Sequence, residues 1–235
     1  MRAYITGGSK GIGYGIAEAV LKAGGQVTIT ARTQSSADQA KKQLENLYSS
    51  ERIFAVAADV TNYDSEQQAV IQAVDRMGGI DLVVANAGVG KFGSIEELTL
   101  DDWHHTLNTN LTGVFHTVKA SLAALKASQG TLITISSLAG TNFFAGGSAY
   151  NASKFGLTGF TQAVMLDLRK YGIRVSTIMP GSVATYFNDH VPSAADDWKI
   201  QIEDIGQLVV DLVRLNPRTL PSKIEVRPTM PPSAR

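Results

Sequence analysis

Residues 4–20, YITGGSKGIGYGIAEAV, join a short apolar run to a helical pattern through a turn rich in glycine. Glycines at positions 7, 8, 11 and 13 allow a tight turn and let a ligand come close to the backbone. The helix that follows would offer free N–H groups and the positive end of its dipole to a phosphate. The spacing is not G-x-G-x-x-G, and an ordinary glycine-rich turn is the alternative. The stretch predicts a strand–turn–helix unit with a phosphate site.

The rest of the chain repeats this alternation of short β-branched runs and longer helical patterns. The predicted strands are 3–6, 26–31, 53–58, 81–86, 130–136, 173–179 and 223–227, and the predicted helices are 12–24, 36–49, 64–77, 100–127, 149–171 and 203–215. Runs such as DLVVAN and TLITIS lack clean polar alternation, as is typical of strands buried on both faces of a parallel sheet. The pattern predicts an α/β fold, a doubly wound parallel sheet of about seven strands in three α/β/α layers.

Composition excludes several classes of function. The 235 residues carry a formal net charge of zero, so nothing favours nucleic acid or an anionic membrane surface as a partner. The chain has no cysteine, which excludes disulfides and thiolate chemistry and favours a cytoplasmic location. No signal peptide or membrane-spanning run is expected. The four histidines form no spaced set with carboxylates, so no metal site is expected.

No linker or repeat divides the chain. We expect a single dinucleotide-binding domain over residues 1–228, with a short substrate loop near 182–203 and a loosely ordered, proline-rich tail at 229–235.

The end of the second predicted strand, VTITARTQ, indicates which dinucleotide would bind. An acid at this point would bind the adenosine ribose hydroxyls, whereas an arginine favours a 2′-phosphate. Here Ala31 stands where the acid would be, Arg32 follows it, and Lys10 in the glycine turn could reach the same phosphate. Two cations and no acid predict NADP(H) rather than NAD(H), with a solvated surface role for Arg32 as the alternative.

Seven features in order along the chain resemble the short-chain dehydrogenase/reductase family, in its compact NADP(H)-dependent form. They are TGGSKGIG at 6–13, DV at 59–60, NAG at 86–88, Asn110, Ser137, YNASK at 150–154 and PGSVAT at 180–185. The resemblance implies a Rossmann-like sheet. It also implies a cofactor site formed by Gly7, Ser9, Lys10, Gly11, Ile12, Gly13, Arg32, Asp59, Val60, Asn86, Ala87, Gly88, Tyr150, Lys154, Pro180, Gly181, Val183 and Thr185.

The catalytic residues implied by the resemblance are Asn110, Ser137, Tyr150 and Lys154. A free tyrosine titrates near ~10, and a nearby cation favours the phenolate and lowers its pKa. Residues four apart lie on one face of a helix, so Lys154 should lie beside Tyr150 and lower its pKa. Ser137 at the end of the fifth strand would donate a hydrogen bond to the substrate oxygen.

Two of these assignments need a choice. Ser136 adjoins Ser137, but strand alternation sends the two side chains to opposite faces, and the interval from Ser137 to Tyr150 is that of the family. The resemblance implies that Asn110 kinks its helix and holds a water that links Lys154 to solvent. A capping or core amide is the alternative for Asn110.

The predicted function is reduction of a ketone, aldehyde or 3-oxoacyl group to an alcohol by NADPH. The alternatives are a non-catalytic NADP(H)-binding regulator and an epimerase or dehydratase of the same family. Residues beyond about 185 match the family less well, which leaves the small-molecule substrate open. The helix at 149–168 is apolar or small nearly all the way round, so a second subunit is expected to cover one face, giving a homodimer or homotetramer.

Overall fold

Seven parallel strands form one sheet in the computed structural model, which describes residues 1–231. They are β1 (Arg2–Ile5), β2 (Gln26–Ala31), β3 (Ile53–Ala57), β4 (Leu82–Ala85), β5 (Thr131–Ile135), β6 (Arg174–Pro180) and β7 (Lys223–Val226). Their order in the sheet is β3-β2-β1-β4-β5-β6-β7. The first three strands extend the sheet to one side of β1 and the last four extend it to the other side, so the strand order reverses between β1 and β4. Ligands of such sheets bind at the carboxyl ends of the strands, at this switch point.

Helices cover both faces of the sheet and give the three predicted layers. They are α1 (Gly11–Lys22), α2 (Gln34–Glu45), α3 (Tyr63–Met77), α4 (Leu100–Leu107), α5 (Gly113–Ser128), α6 (Ser148–Leu168) and α7 (Ile202–Arg214). One apolar core joins the sheet to α1, α2 and α7, and the other joins it to α3, α5 and α6. The doubly wound parallel α/β fold is therefore confirmed, with element ends within a few residues of the predicted ones.

The predicted helix over 100–127 is interrupted. A π-helical segment over Asn108–Thr112 separates α4 from α5, and it contains the predicted Asn110. Such segments insert extra backbone into a helix and are frequent at functional sites. This π-helical segment lies where the family resemblance implied a kink in the helix.

The C-terminal part of the chain is more exposed. Strand β7 alternates between exposed and partly buried residues, because it is the last strand of the sheet. Residues 229–231 form no regular structure, and the rest of the predicted tail, 232–235, lies outside the described residues. Across residues 1–231, no helix has the length and apolar character needed to span a bilayer.

Candidate active site

The glycine turn between β1 and α1 needs its glycines for two reasons. Gly7 and Gly11 have φ values of +63° and +58°, in the left-handed region that side chains disfavour. A Cβ atom on Gly13 would lie 2.5 Å from both the Asn86 side-chain nitrogen and the Gly7 carbonyl oxygen. The turn is therefore closely packed against the loop that follows β4.

The first turn of α1 is open to an anion. Lys10 occupies the N-cap position and its side chain makes no capping hydrogen bond. Across the turn, Thr185 lies 3.5 Å from where a Cβ atom of Gly11 would stand. This end of α1 suits the phosphates of a dinucleotide, because it offers free N–H groups, the positive end of the helix dipole and glycines that a ligand can approach closely. Ser9 and Ile12, also predicted here, are partly exposed in the same turn.

Asn86 and Thr6 fasten the glycine turn to β4. The Asn86 side chain donates to the carbonyl oxygens of Thr6 (2.9 Å) and Gly7 (3.1 Å). In return, Thr6 Oγ1 accepts from the backbone N–H groups of Asn86 (3.0 Å) and Ala87 (3.1 Å). Asn86 was predicted as a cofactor residue, and its side chain here positions the turn. Thr6, which begins the quoted glycine motif, shares that role and was not predicted.

The residues predicted to bind the adenosine end follow β2 and β3. Arg32 is exposed at the end of β2, and Lys10 is exposed in the glycine turn. Over residues 1–231, neither side chain forms an ion pair, so both remain available to a phosphate. Asp59 accepts from the Thr61 backbone N–H at 2.9 Å. The carbonyl oxygen of Val60 bonds a ring nitrogen of His116 at 2.8 Å.

Ser137 and Tyr150 line one cleft of about 560 Å³ at the carboxyl edge of β5 and β6. Ser137 Oγ accepts from the Ala139 N–H at 3.1 Å, and its own contact with the Pro180 carbonyl oxygen is long, at 3.5 Å. Ser136 is 4% exposed and its Oγ lies 3.0 Å from Thr158 Oγ1. As strand alternation predicts, Ser137 alone of the two faces the cleft.

Lys154 lies behind Tyr150 with its charge almost fully buried. Its side chain is 5% exposed, and Nζ donates to the carbonyl oxygen of Ile135 at 3.0 Å. The same nitrogen lies 5.7 Å from the centre of the Tyr150 ring, as the four-residue helical spacing predicts. Burial lowers the pKa of Lys154 to about 8. This ammonium can therefore exchange protons close to neutral pH.

Burial is the largest influence on the pKa of Tyr150. Burial raises it above the usual value, and the nearby Ser137 hydroxyl offsets that rise only in part. The effect of Lys154 on the pKa of Tyr150 stays a prediction. The Lys154 ammonium donates to the Ile135 carbonyl oxygen, and burial of the phenol is the larger influence on the pKa of Tyr150. The phenol consequently keeps its proton at neutral pH.

Asn110 is fully buried between the loop after β4 and α6. Its side-chain oxygen accepts from the Val89 N–H at 2.8 Å, and its nitrogen donates to the Val89 carbonyl (2.9 Å) and to Ser153 Oγ (3.0 Å). These bonds use both amide hydrogens and one of the two lone pairs of the oxygen. A Cβ atom on Gly88 would lie 3.3 Å from that oxygen and 3.7 Å from Lys154 Nζ. Asn110 thus has one acceptor position left, close to Lys154.

An aromatic group surrounds the Tyr150 ring. Phe92 and Phe187 lie with ring centres 5.3 and 5.7 Å from it, and Phe144 lies 5.8 Å from Phe92. All three phenylalanines remain exposed by more than a third of their surface. Phe92, Phe144 and Phe187 lie outside the sequence motifs that predicted the site. These rings remove water from the phenol and offer an apolar surface to a ligand.

The loop after β6 closes the other side of the cleft. Pro180 ends β6, and the Gly181 N–H donates to the Val226 carbonyl oxygen at 2.8 Å. Val183 pairs with Ile200, which brings the two ends of the loop together. The predicted residues from the glycine turn to Thr185 therefore lie along one edge of the sheet.

The sequence is similar to those of known dehydrogenases and reductases. Residues 1–196 match the family described as short chain dehydrogenase. A sepiapterin reductase of Chlorobaculum tepidum is 32% identical over 96% of this chain and 95% of its own length. A trans-4-hydroxycyclohexanecarboxylate dehydrogenase of Sinomonas cyclohexanicum is 36% identical over 78% of this chain and 72% of its own length.

Solved structures agree with these sequence relatives. An alcohol dehydrogenase from the archaeon Thermococcus sibiricus, complexed with 5-hydroxy-NADP, superposes with a TM-score of 0.89, 27% identity and coverage of 97% and 96% of the two chains. A short chain dehydrogenase from Burkholderia cenocepacia in complex with NADP has a TM-score of 0.86, with 31% identity and 96% coverage of both chains. The similarity includes the C-terminal region that the sequence motifs do not reach.

Proposed function

The chain belongs to the short-chain dehydrogenase family, and we propose that it is an NADPH-dependent oxidoreductase that reduces a carbonyl group to an alcohol. One observation carries this proposal. Ser137 and Tyr150 line the same cleft, while Lys154 lies buried directly behind the phenol. A hydrogen-bond donor, a protonated acid and a proton source thus meet at the edge of the sheet where the glycine turn ends.

Each side chain has a defined part in the reaction. Bound NADPH would supply the hydride that the carbonyl carbon needs. The Ser137 hydroxyl exchanges its long contact with Pro180 for a hydrogen bond to the substrate oxygen. Tyr150 then gives its proton to that oxygen, and its raised pKa ensures that the proton is present. Lys154, with a pKa of about 8, returns a proton to the phenolate.

Asn110 supplies the route by which Lys154 recovers its proton. The unused lone pair of its side-chain oxygen lies near Gly88 and the ammonium, where it can hold a water molecule. Its other bonds fix the amide between Val89 and Ser153, so this acceptor is held in place. Asn110 is therefore a positioning residue in this proposal.

NADPH is the cofactor that best suits the glycine turn. Lys10 and Arg32 are exposed beside the open N-terminus of α1, where a 2′-phosphate would gain two cationic partners. The related structures from Thermococcus sibiricus and Burkholderia cenocepacia contain 5-hydroxy-NADP and NADP. Relatives that include a sepiapterin reductase and a Vibrio cholerae 3-oxoacyl-[acyl-carrier-protein] reductase support a carbonyl substrate without agreeing on which one.

An NADPH-oxidation screen tests the proposal. Purified protein is mixed with NADPH and a panel of aldehydes, ketones, diketones and 3-oxoacyl thioesters, and absorbance of the reduced cofactor is followed. We expect turnover of at least one class, with an alcohol product identified by mass spectrometry. Binding of NADPH without turnover of any carbonyl would favour the non-catalytic alternative. A product of unchanged oxidation state would favour the epimerase or dehydratase.

We also propose that two chains pair through α5 and α6. Phe155 and Leu166 on α6 are 43% and 55% exposed, and Phe115 on α5 is 44% exposed. The Phe115 and Phe160 rings, 6.3 Å apart, connect the two helices into one apolar surface. Light scattering should give a mass at least twice the 25.0 kDa of one chain, and a single-chain mass would contradict the pairing. The cytoplasmic location stays a prediction from the sequence.

A further inference from the structure

The cleft that contains Ser137 and Tyr150 is apolar over most of its wall. Its other lining residues include Leu138, Phe144, Trp198, Arg227, Pro228 and Pro231. Leucine, phenylalanine, tryptophan and proline favour a hydrocarbon body in the ligand. Among the described residues that line this cleft, Arg227 is the one with a formal charge.

Arg227 reaches the cleft because β7 is parallel to β6. The pair Pro180 and Val226 are in register, and the Gly181 N–H donates to the Val226 carbonyl oxygen at 2.8 Å. The residue after Val226 therefore emerges at the carboxyl edge of the sheet, beside the loop that begins at Gly181. Pro228 Cδ lies 3.4 Å from where a Cβ atom of Gly181 would stand, which fixes the chain at this point.

The guanidinium of Arg227 has capacity for a ligand. One nitrogen donates to a Glu225 oxygen at 2.9 Å, and the two side chains are 57% and 37% exposed. Exposed ion pairs of this kind contribute little to stability and are screened by salt. A guanidinium has five N–H donors in a fork that matches a carboxylate or phosphate, and Glu225 engages one nitrogen. A ligand anion can thus bind without removing the partner that orients the side chain.

We propose that the substrate of this cleft is a carbonyl compound with an apolar body and an anionic group, carboxylate or phosphate, which Arg227 binds. This inference rests on the proposed reductase function, because it assumes that the carbonyl meets Ser137 and Tyr150. The charge then determines the orientation of the substrate: the anionic end lies toward β7 and the carbonyl toward β5. Arg227 would contact the substrate directly and determine specificity.

Matched substrate pairs that differ in whether they carry the anionic group provide the test. The first pair is 4-oxocyclohexanecarboxylate and its methyl ester, and the second is acetoacetyl phosphopantetheine and acetoacetyl pantetheine. For each pair, kcat/KM with NADPH is measured for the wild type, Arg227→Met and Arg227→Lys. Arg218→Met serves as the control because Arg218 is an exposed arginine in the segment before β7.

We expect Arg227→Met to lower the ratio of kcat/KM for the charged over the neutral member by about 10-fold or more in at least one pair. Arg227→Lys should restore part of the ratio, Arg218→Met should leave it unchanged, and added salt should reduce it in the wild type. The pair with the larger dependence on Arg227 identifies the carboxylate or the phosphate as the natural group.

Two results would overturn the inference, and they differ from each other. Equal ratios in the wild type and Arg227→Met, with turnover that still depends on Tyr150, would remove the role of Arg227 and leave the reductase intact. Failure of the wild type to reduce any carbonyl in the wider screen would instead remove the reductase proposal, and the inference with it.

Discussion

Residues 1–181 and residues 182–231 meet at the same edge of the sheet, but they are held together in different ways. In the first region, buried strands place each reactive group, and side chains such as Asn86 and Asn110 are bonded to backbone atoms of neighbouring loops. In the second region, the loop over 182–201 depends on a few polar contacts, and β7 is half exposed. The difference separates the residues proposed for the reaction from those proposed for the choice of substrate.

A single carboxylate fixes much of the second region. Asp196 is 5% exposed, and its oxygens contact His190 Nε2 at 2.7 Å, Lys199 Nζ at 2.5 Å and the Ser193 N–H at 3.0 Å. These partners hold the pKa of Asp196 well below its usual range. Trp198, which lines the cleft, lies between Asp196 and Lys199 in the chain. The position of the cleft wall therefore depends on side chains that take no part in the reaction.

The largest effect is expected from Tyr150→Phe in the first region. Loss of the phenol proton should reduce kcat about 10²- to 10⁴-fold, since general acid catalysis contributes that much. The Kd for NADPH should change less than twofold, because the ring and its aromatic neighbours remain. Stopped-flow turnover and fluorescence titration of NADPH measure the two quantities. Tyr171→Phe, which removes an exposed phenol elsewhere, should match the wild type. Undiminished turnover by Tyr150→Phe would contradict the acid assignment.

Glu66→Gln should change stability without changing the reaction. Glu66 is fully buried on α3, and Thr117 Oγ1 donates to one of its oxygens at 2.8 Å, while the other has no hydrogen-bond partner within residues 1–231. Burial raises the pKa of Glu66 to about 7. The folded state thus favours the protonated carboxyl, and its stabilising contribution, complete below the unfolded pKa of ~4.3, is lost as pH rises through about 7.

The glutamine variant should therefore gain stability relative to the wild type as pH rises. Between pH 5 and pH 8, the difference in free energy of unfolding is expected to change by about 2 to 3 kcal/mol in favour of the variant. Urea titrations at fixed protein concentration measure it, and kcat/KM should stay within about twofold. Asp75→Asn, on the exposed side of the same helix, should show no such trend. A difference that is independent of pH would mean that Glu66 is ionised throughout.

A smaller effect is expected where the first region is proposed to bind the cofactor. Combining Arg32→Asp with Lys10→Ala should raise the Kd for NADPH about 10- to 100-fold, because two charge-assisted contacts to the 2′-phosphate are lost. The Kd for NADH should change less than threefold, since NADH lacks that phosphate. Lys22→Ala, an exposed cation at the far end of α1, is the control. Equal weakening of both cofactors would contradict the 2′-phosphate assignment.

The two regions also differ in how far the sequence predicts them. Gly7 and Gly11 could be assigned because only glycine readily adopts their φ values, and Lys154 because helical spacing places it beside Tyr150. These are local properties of the chain. The raised pKa of Tyr150 was not predictable, because it depends on burial by rings such as Phe92 that are distant in sequence. The place of Arg227 likewise follows only from the pairing of β7 with β6.

The smallest effect should come from Asp196→Asn in the second region. The variant keeps the shape of the side chain but removes the charge that attracts Lys199 and His190, so the loop and Trp198 should become less well positioned. We expect KM for the carbonyl substrate to rise about 10-fold, since hydrogen bonds to a charged group are lost. The kcat should stay within about twofold, because Ser137, Tyr150 and Lys154 lie in the first region. Steady-state kinetics with the best substrate of the screen measures these quantities.

Asp197→Asn separates this role from a general effect of charge in the loop. Asp197 is the exposed neighbour of Asp196, so its variant should match the wild type in KM. Hydrogen exchange should show faster exchange over residues 190–200 in Asp196→Asn and unchanged protection in β4 and β5. A fall in kcat as large as the rise in KM would mean that the loop also positions Ser137 or Tyr150. The separation between reaction and substrate choice would then not hold, since one carboxylate in the second region would control both.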